Sequence, residues 1–462
     1  MKNLNLLKLN ILNLLVCLFP AMFILGNLFI NIGMLLITLF GIFFYKNKLF
    51  TFGKSNLLIF ISFFFIILII STTLENVRNN ICCDINSHLT KSILYLRYLF
   101  LLIVIRFMIL RGDLNFKQFF LSCLIFSTIV AADVIFQYFI GVDILGYEPT
   151  AYHRSGLFGN ESIAGAYIQR FLVLGLFSIP LLFYKSKNKL IIILVLTIVI
   201  GFFGIIFSGN RMPALLFVFF IFLSLFVFGI KKFKFMKIIF LFSILSAVLL
   251  TSNSEWIKKN YRSFYAGVKE LSKVIPEVRK EYPELEKYKN IGSPFHETEG
   301  YKYRKNYDIL PNYTGHAVLY ITSIDLFKES PVIGRGIKSF RNTCREKWHL
   351  PNRLCETHPH HFYFEILNDT GVIGFSIIAI TLLFLFVKNF NKYYRNNKKK
   401  IKNLDLVFYA VSFSLIIEFM PFRSHGSFFS TTNSSYVFFL IGLFYGFYEL
   451  KIKKFHKKKI YF

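Results

Sequence analysis

Apolar residues in this chain come in long unbroken runs, not in the alternation of a half-buried strand or the one-sided stripe of a surface helix. Twelve runs can be marked: Ile11 to Leu25, Leu28 to Tyr45, Asn56 to Ser71, Ile93 to Leu110, Phe119 to Ile140, Ser162 to Tyr184, Leu190 to Phe207, Pro213 to Ile230, Ile238 to Leu250, Phe362 to Val387, Leu404 to Met420 and Ser435 to Leu450. Most approach the roughly 17 to 25 residues that a helix needs to cross a hydrocarbon core of about 30 Å. In lipid every backbone N–H and C=O must be satisfied within the segment, which selects helices over barrel strands for runs that do not alternate. The pattern predicts an all-α integral membrane protein of about twelve transmembrane helices.

The polar turns between the runs differ in charge. Those after the even-numbered runs hold Lys46, Lys48 and Lys54; Arg111 and Lys117; Lys185, Lys187 and Lys189; Lys388 through Lys402; and Lys451 through Lys459. Lys231, Lys232, Lys234 and Lys237 follow the eighth run, and the odd-numbered turns carry almost no lysine. By the positive-inside rule both termini face the cytoplasm. One long polar segment, residues 251–361, then falls on the outer side and splits the chain into helices one to nine (1–250), a large periplasmic loop (251–361), and helices ten to twelve with a basic tail (362–462). Lys2 and Lys8 precede the first run, but no small-residue cleavage site follows it, so the first helix is expected to stay.

Composition supports that class. Hydrophobic residues make up 55% of the chain, and Phe alone accounts for 59 of 462 positions. The formal charge of +29 reads as a topology signal and an attraction to anionic head groups, not as a nucleic-acid surface. Four ionisable residues, Arg97, Asp133, Arg170 and Glu418, fall inside apolar runs. Such residues face a bundle interior or a cavity. An ion pair such as Asp133 with an arginine, or the lining of a groove for a lipid carrier, are the two readings.

Of six cysteines, Cys17 and Cys123 lie in apolar runs, while Cys82, Cys83, Cys344 and Cys355 fall in outer segments. Cys344 and Cys355 are candidates for a disulfide that pins the following Thr357-His358-Pro359-His360-His361 segment. The competing reading is a metal site drawn from Cys344, Cys355, His358, His360 and His361. Their spacing is neither of the tight CxxC or HxxxH kinds that zinc prefers, and no metal is expected.

Outer turns spend their cations as arginine. Arg154 sits in His153-Arg154-Ser155-Gly156, Arg211 in Ser208-Gly209-Asn210-Arg211-Met212-Pro213, and Arg423 in Pro421-Phe422-Arg423-Ser424. A planar guanidinium suits bidentate binding of phosphate or carboxylate. The three read as an anion clamp, or individually as helix caps and head-group contacts. Within the long segment, Glu255 to Tyr303 reads as short amphipathic pieces, and His316 to Glu329 as a helix stopped by Pro331. Next comes Gly334-Arg335-Gly336-Ile337-Lys338-Ser339-Phe340-Arg341. It is too short for a dinucleotide or Walker fingerprint and follows no strand, so a nucleotide site is rejected. Arg335, Lys338 and Arg341 are candidates for contact with a phosphate or sugar, or for an ordinary solvated basic turn.

The sharpest motif runs from His360 to Gly374: His360-His361-Phe362-Tyr363-Phe364-Glu365-Ile366-Leu367-Asn368-Asp369-Thr370-Gly371-Val372-Ile373-Gly374. It resembles the pattern of the O-antigen ligase and O-antigen polymerase superfamily of bacterial envelopes: a histidine, then Asn, Ser or Gln, nine residues, and Gly-x-x-Gly. His360 falls at that family's functional histidine, and Gly371 and Gly374 match, while His361 stands where an amide or hydroxyl is usual. Pro331-Val332-Ile333-Gly334-Arg335-Gly336 is similar to the family's Pro-x-x-Gly-x-Gly segment, and the Arg154 and Arg211 turns resemble its outer-loop arginine motifs.

The resemblance implies a GT-C-like fold and a metal-independent membrane glycosyltransferase that needs no cofactor. Its donor would be a glycan on undecaprenyl pyrophosphate, handed at the periplasmic face of the inner membrane to a lipid A core hydroxyl, or to another glycan in a polymerase. Arg154 and Arg211 would neutralise the departing diphosphate. His360 would take the acceptor's proton or position its hydroxyl. Arg335, Lys338, Arg341, His358, His361 and Arg423 would contact substrate. A structural histidine capping the next helix is the plainer reading of His360. A polysaccharide transporter or flippase is a third function, against which stands the lack of internal symmetry.

Overall fold

Phenylalanine and leucine runs pack here into a bundle whose every regular element, among the described residues, is helical. The computed structural model of the protein describes residues 2–50, 57–78, 85–150, 152–183, 186–228, 254–288, 316–347, 349–396, 403–424 and 426–452. The first elements are α1 (Lys2–Cys17), α2 (Phe19–Ile24), α3 (Asn27–Tyr45), α4 (Leu57–Arg78), α5 (Ile85–Leu94), α6 (Leu96–Arg111) and α7 (Phe116–Ile140). They are followed by α8 (Ala164–Gly175), α9 (Ser178–Phe183), α10 (Lys187–Phe207) and α11 (Arg211–Phe228). The long polar segment contributes α12 (Glu255–Glu270), α13 (Val274–Val278), α14 (His316–Glu329) and α15 (Phe340–Thr343). The chain ends with α16 (Phe362–Asn396), α17 (Asn403–Glu418) and α18 (Thr431–Ile452).

Among the described residues, seven helices are long and apolar enough to cross a membrane, with Arg211–Val227 a shorter apolar helix beside them. Leu28, Phe29, Ile32, Leu35, Leu39 and Phe43 of α3 are all exposed on one side, a face that only lipid would cover at acceptable cost. The chain is a multi-pass membrane protein. Several expected runs are subdivided. The first breaks at Leu18, where Pro20 sits in the first turn of α2, since proline cannot donate to the preceding turn. The run expected from Ser162 breaks at Leu176 and Phe177 between α8 and α9. The ninth run, Ile238 to Leu250, lies outside the described residues, as do Cys82 and Cys83.

The tightest helix pair is α6 against α18. A Cβ added at Gly442 would meet the Leu102 carbonyl oxygen at 3.0 Å, and one at Gly446 would meet that of Arg106 at 3.0 Å. Two glycines four apart on α18 therefore let the α6 backbone lie directly against it, which in lipid replaces the missing hydrophobic drive with close van der Waals contact. Arg106 and Glu449 pair across the same interface at 2.6 Å, both buried. Among the described residues Asp133 has no arginine partner: its Oδ1 accepts the Ile144 N–H at 2.9 Å. An aspartate in an apolar run announces burial but not its partner, and here backbone amides of the following turn reach it first.

The polar segment has a small core of its own. Val274, Val278, Ala317, Leu319, Tyr320, Ile321, Leu326, Phe340 and Cys344 pack together, with Leu354, Cys355 and Phe364 against them. The helix expected over His316 to Glu329 forms with those bounds.

Candidate functional site

Helix α16 organises the site, because its N-terminal half is interrupted. Gly371 takes φ 62°, ψ −169°, a region open essentially to glycine alone. The interruption frees backbone groups in a buried place, and each must find a partner. The Pro331–Gly336 segment supplies them. Val372 N–H donates to the Pro331 carbonyl at 2.8 Å and Ile373 N–H to Val332 at 3.3 Å, while Arg335 and Gly336 N–H groups donate to the Asn368 and Asp369 carbonyls at 2.7 and 3.0 Å. A Cβ at Gly371 would lie 2.2 Å from the Val332 oxygen, and one at Gly334 2.5 Å from the Thr370 nitrogen. The two glycine motifs are thus the two halves of one backbone-to-backbone joint.

Two carboxylates one turn apart on α16 extend this scaffold. Asp369 accepts the backbone N–H of Lys338 at 2.5 Å and the hydroxyl of Ser339 at 2.8 Å. That contact holds Lys338 at φ 56°, a conformation non-glycine residues rarely take. Glu365 accepts from the Ser427 hydroxyl at 2.6 Å and the Phe428 N–H at 2.5 Å. Loops 336–341 and 421–430 are thereby fixed against the same helix. His361 contributes a third tie, its Nε2 lying 2.8 Å from the Pro421 carbonyl oxygen.

Between these loops lies a cavity of ≈ 380 Å³. Phe23, Phe158 and Phe171 wall it on the helix side; Lys338, Arg341 and His358 are among its polar lining. His360 stands beside it with φ 54°. Its ring centre is 4.1 Å from that of His358 and 5.0 Å from that of His316. Burial, then His360, then Arg211 hold the His316 imidazole down at about 4. Burial, then His360 and Arg341, hold His358 down at about 3. Both rings are therefore neutral at ordinary pH, and the cluster can accept protons only where the environment pays less for the charge. Burial and Arg341 also pull the Lys338 ammonium below its ordinary value.

Arg211, Arg154 and Arg423 sit in separate environments. Arg211 opens α11 and donates from Nη1 to the Ser263 hydroxyl at 2.8 Å, close enough to His316 to depress it. The Arg154 guanidinium lies 4.0 Å over the Trp256 ring and 4.6 Å over that of Tyr138, a cation–π clamp. Helix α12 carries both Trp256 and Ser263, so one amphipathic helix covers the two arginines. Arg423 lines the cavity, yet it is buried and bonded to Glu418 at 2.8 Å. Glu418 also holds Arg170 at 2.5 Å, and Arg170 bonds the Asn433 side chain at 2.7 Å.

Arg335 stands apart from the cluster. Its guanidinium bonds Glu75, Glu329 and Glu346, each at 2.9 Å, and Lys347 pairs with Glu329 beside it. Burial lowers the guanidinium pKa, but these carboxylates reverse that and raise it above its ordinary value. The geometry makes Arg335 a knot that ties α4, α14 and the 344–347 turn.

Cys344 and Cys355 are disulfide-bonded, with Cα atoms 5.1 Å apart. The bond joins the turn after Arg341 to the strand of chain leading to His358. Among the described residues, no three His, Cys, Asp or Glu side chains are grouped so as to hold a metal ion. Sequence reading passed over His316, Trp256, Glu365 and Asp369. His316 is a lone histidine opening an ordinary helix, so no local signal marks it. The two carboxylates lie inside the His360 to Gly374 motif, where their i,i+4 spacing was visible.

Comparison with known protein families gives one match: residues 196–379 fit the model of the family described as O-antigen ligase. No curated protein matches the chain. The matched stretch contains Arg211, the Pro331–Gly336 segment, the disulfide, His360, Gly371 and Gly374, whereas Arg154 and Arg423 lie outside it. Over residues 196–379 the chain is similar to the O-antigen ligase family, which supports a relation to the O-antigen ligase/polymerase superfamily.

Proposed function

We propose that the protein transfers a glycan from a polyprenyl diphosphate carrier to an acceptor hydroxyl, as a ligase acting on a lipid A core at the periplasmic face of the inner membrane. One observation carries this reading. A three-histidine cluster centred on His360 is bordered by Arg211 on the His316 side and by Arg341 and Lys338 on the His358 side, next to an aromatic-walled cavity. In this arrangement the acceptor oxygen attacks the anomeric carbon. The bond from that carbon to the diphosphate oxygen breaks, the electron pair leaves with the diphosphate, and the hydroxyl proton passes to His360.

A general base in this position contributes on the order of 10² to 10⁴ in rate. Arg211 and Arg154 take the developing negative charge of the leaving group, and fixed donors in a partly dry site stabilise such charge by several kcal/mol, on the order of 3. The segment 251–361 then lies outside the inner membrane, with both termini in the cytoplasm. A polymerase would use the same residues with a glycan as acceptor.

The test is full-length enzyme in detergent with a lipid-linked glycan and lipid A core. Core-attached product supports the ligase; a longer lipid-linked glycan makes it a polymerase. His360→Ala and Arg211→Ala are expected to insert normally and to abolish the laddered product on a gel. Unchanged ladders would remove both residues from the site.

A further inference from the structure

The sequence Gly334-Arg335-Gly336-Ile337-Lys338-Ser339-Phe340-Arg341 carries three cations, and the fold treats them unequally. Arg335 is saturated by three carboxylates. Lys338 and Arg341, three and six residues on, form no ion pair with any described residue, and both line the cavity. The Arg341 Nε is shielded from solvent and has no hydrogen-bond partner among the described residues, and the same holds for the Nε2 of His358. Unpaired buried donors cost free energy that a folded protein seldom leaves uncompensated.

The His358 tautomer follows from its other nitrogen. Nδ1 lies 2.8 Å from the Thr357 hydroxyl, and a hydroxyl can donate to it. With the ring neutral, Nε2 then carries the proton and points as a donor. The cavity thus presents an ammonium, a guanidinium and an imidazole N–H. All three are donors, and the carboxylates nearest Lys338 are already filled: Asp369 by the N–H groups of Lys338 and Ser339, Glu365 by Ser427 and Phe428. The phenyl rings of Phe23, Phe158 and Phe171 make the remaining wall, which suits a charged group on an apolar chain or sugar face.

We infer that Lys338, Arg341 and the Nε2–H of His358 form a phosphate-binding subsite, distinct from Arg211 and Arg154, that takes a phosphate or diphosphate ester. The assignment of that ester to a substrate rests on the glycan-transfer reading; the binding itself does not. Two sources share this chemistry: the diphosphate of the lipid carrier and a phosphate on the acceptor.

Titration of inorganic pyrophosphate into the full-length protein in detergent tests the subsite without turnover. Lys338→Met and Arg341→Met are each expected to weaken binding by about tenfold or more, the usual loss for a charge-assisted bond. Arg345→Met removes the same charge from an exposed site four residues away and is expected to change binding by less than about twofold. Lys338→Arg should restore most of the affinity. Parental melting behaviour of each variant shows that the fold survives. Displacement of pyrophosphate by a short polyprenyl diphosphate assigns the subsite to the donor, and displacement by a phosphorylated core glycan assigns it to the acceptor. Equal affinity in all variants, or binding of glucuronate where pyrophosphate fails, overturns the subsite. Intact binding with no glycan transfer counts against the function alone.

Discussion

Substituting the two glycines of the α16 motif separately should split a backbone role from a packing role. At Gly371 an alanine meets two costs. Its φ of 62° and ψ of −169° lie where an L-residue pays on the order of 1 to 3 kcal/mol. Its Cβ would also sit 2.2 Å from the Val332 oxygen and 2.5 Å from the Ile333 nitrogen, so the 331–336 segment must retreat. Retreat lengthens the Val372 to Pro331 and Ile373 to Val332 bonds, each worth about 1 kcal/mol net. The sum is roughly 3 to 5 kcal/mol. At Gly374 the backbone is helical, but the new Cβ would lie 2.3 Å from both the Cβ and the Oγ1 of Thr370; a rotamer change moves the hydroxyl and not the Cβ, so the turn itself must shift, an overpacking cost of about 1 to 3 kcal/mol. Thermal unfolding of purified protein in detergent, read beside glycan transfer, should show Gly371→Ala inactive and the more destabilised of the two, with Gly374→Ala melting between it and the parent. Equal melting transitions for the two variants would refute the joint between the glycine motifs.

Three further outcomes follow from the same geometry. Replacing Cys344 and Cys355 together with serine opens the 11-residue separation they close and should cost about 3 kcal/mol if loop-closure entropy governs, seen as a lower melting transition that matches the reduced parent. Arg335→Met leaves Glu75, Glu329 and Glu346 facing one another. A buried pair broken this way costs about 3 to 5 kcal/mol, and solvent at the two outer carboxylates cuts that to about 2; stability should fall while pyrophosphate affinity, measured on the folded fraction, does not. The depressed His316 and His358 make stability fall in acid. Below the ordinary value of 6.5 the unfolded chain binds protons that the folded rings refuse until about 4 and about 3. The stability is therefore complete above about pH 7 and is lost as pH falls through that window. A melting series from pH 8 to pH 4 checks it, and His316→Gln should flatten the slope; an unchanged slope would mean the ring is not buried neutral.

Much of this was readable from particular residues. Unbroken runs such as Leu28 to Tyr45 gave away membrane helices, because lipid forbids unsatisfied backbone. His360, Gly371 and Gly374 stood out by their resemblance to a family pattern, and Gly371 proves to be where α16 is interrupted. Subdivision at Leu18 and Leu176 was invisible: a one-turn break changes hydrogen bonding without changing hydropathy. Nor could spacing separate Arg335 from Arg341. Both look like cations on a flexible loop, and only tertiary placement shows that Glu75, 260 residues away in the chain, saturates one of them. His316 and Trp256 escaped for the same reason, as their partners come from other helices.

The physical logic of the site rests on how its carboxylates are used. Lys338 and Asp369 are in contact, yet the bond runs from the lysine's backbone N–H, and the ammonium remains unspent on any described carboxylate. Glu365 likewise bonds a hydroxyl and an amide, not Arg341 or Lys338. Had both carboxylates closed on these two cations, the donors would be satisfied within the protein, as those of Arg335 are among its three glutamates. Binding the amides instead fixes the loop while its charges face the cavity. Preorganisation of this kind is what transition-state stabilisation requires: donors held in place before the negative charge develops, with no reorganisation left to perform. Asp369→Asn separates the two uses, because an amide oxygen can still accept the Ser339 hydroxyl and one N–H. Near-parental folding with weakened pyrophosphate binding would mean the carboxylate's charge also tunes Lys338, whereas loss of the fold would mean its hydrogen bonds are the whole of its role.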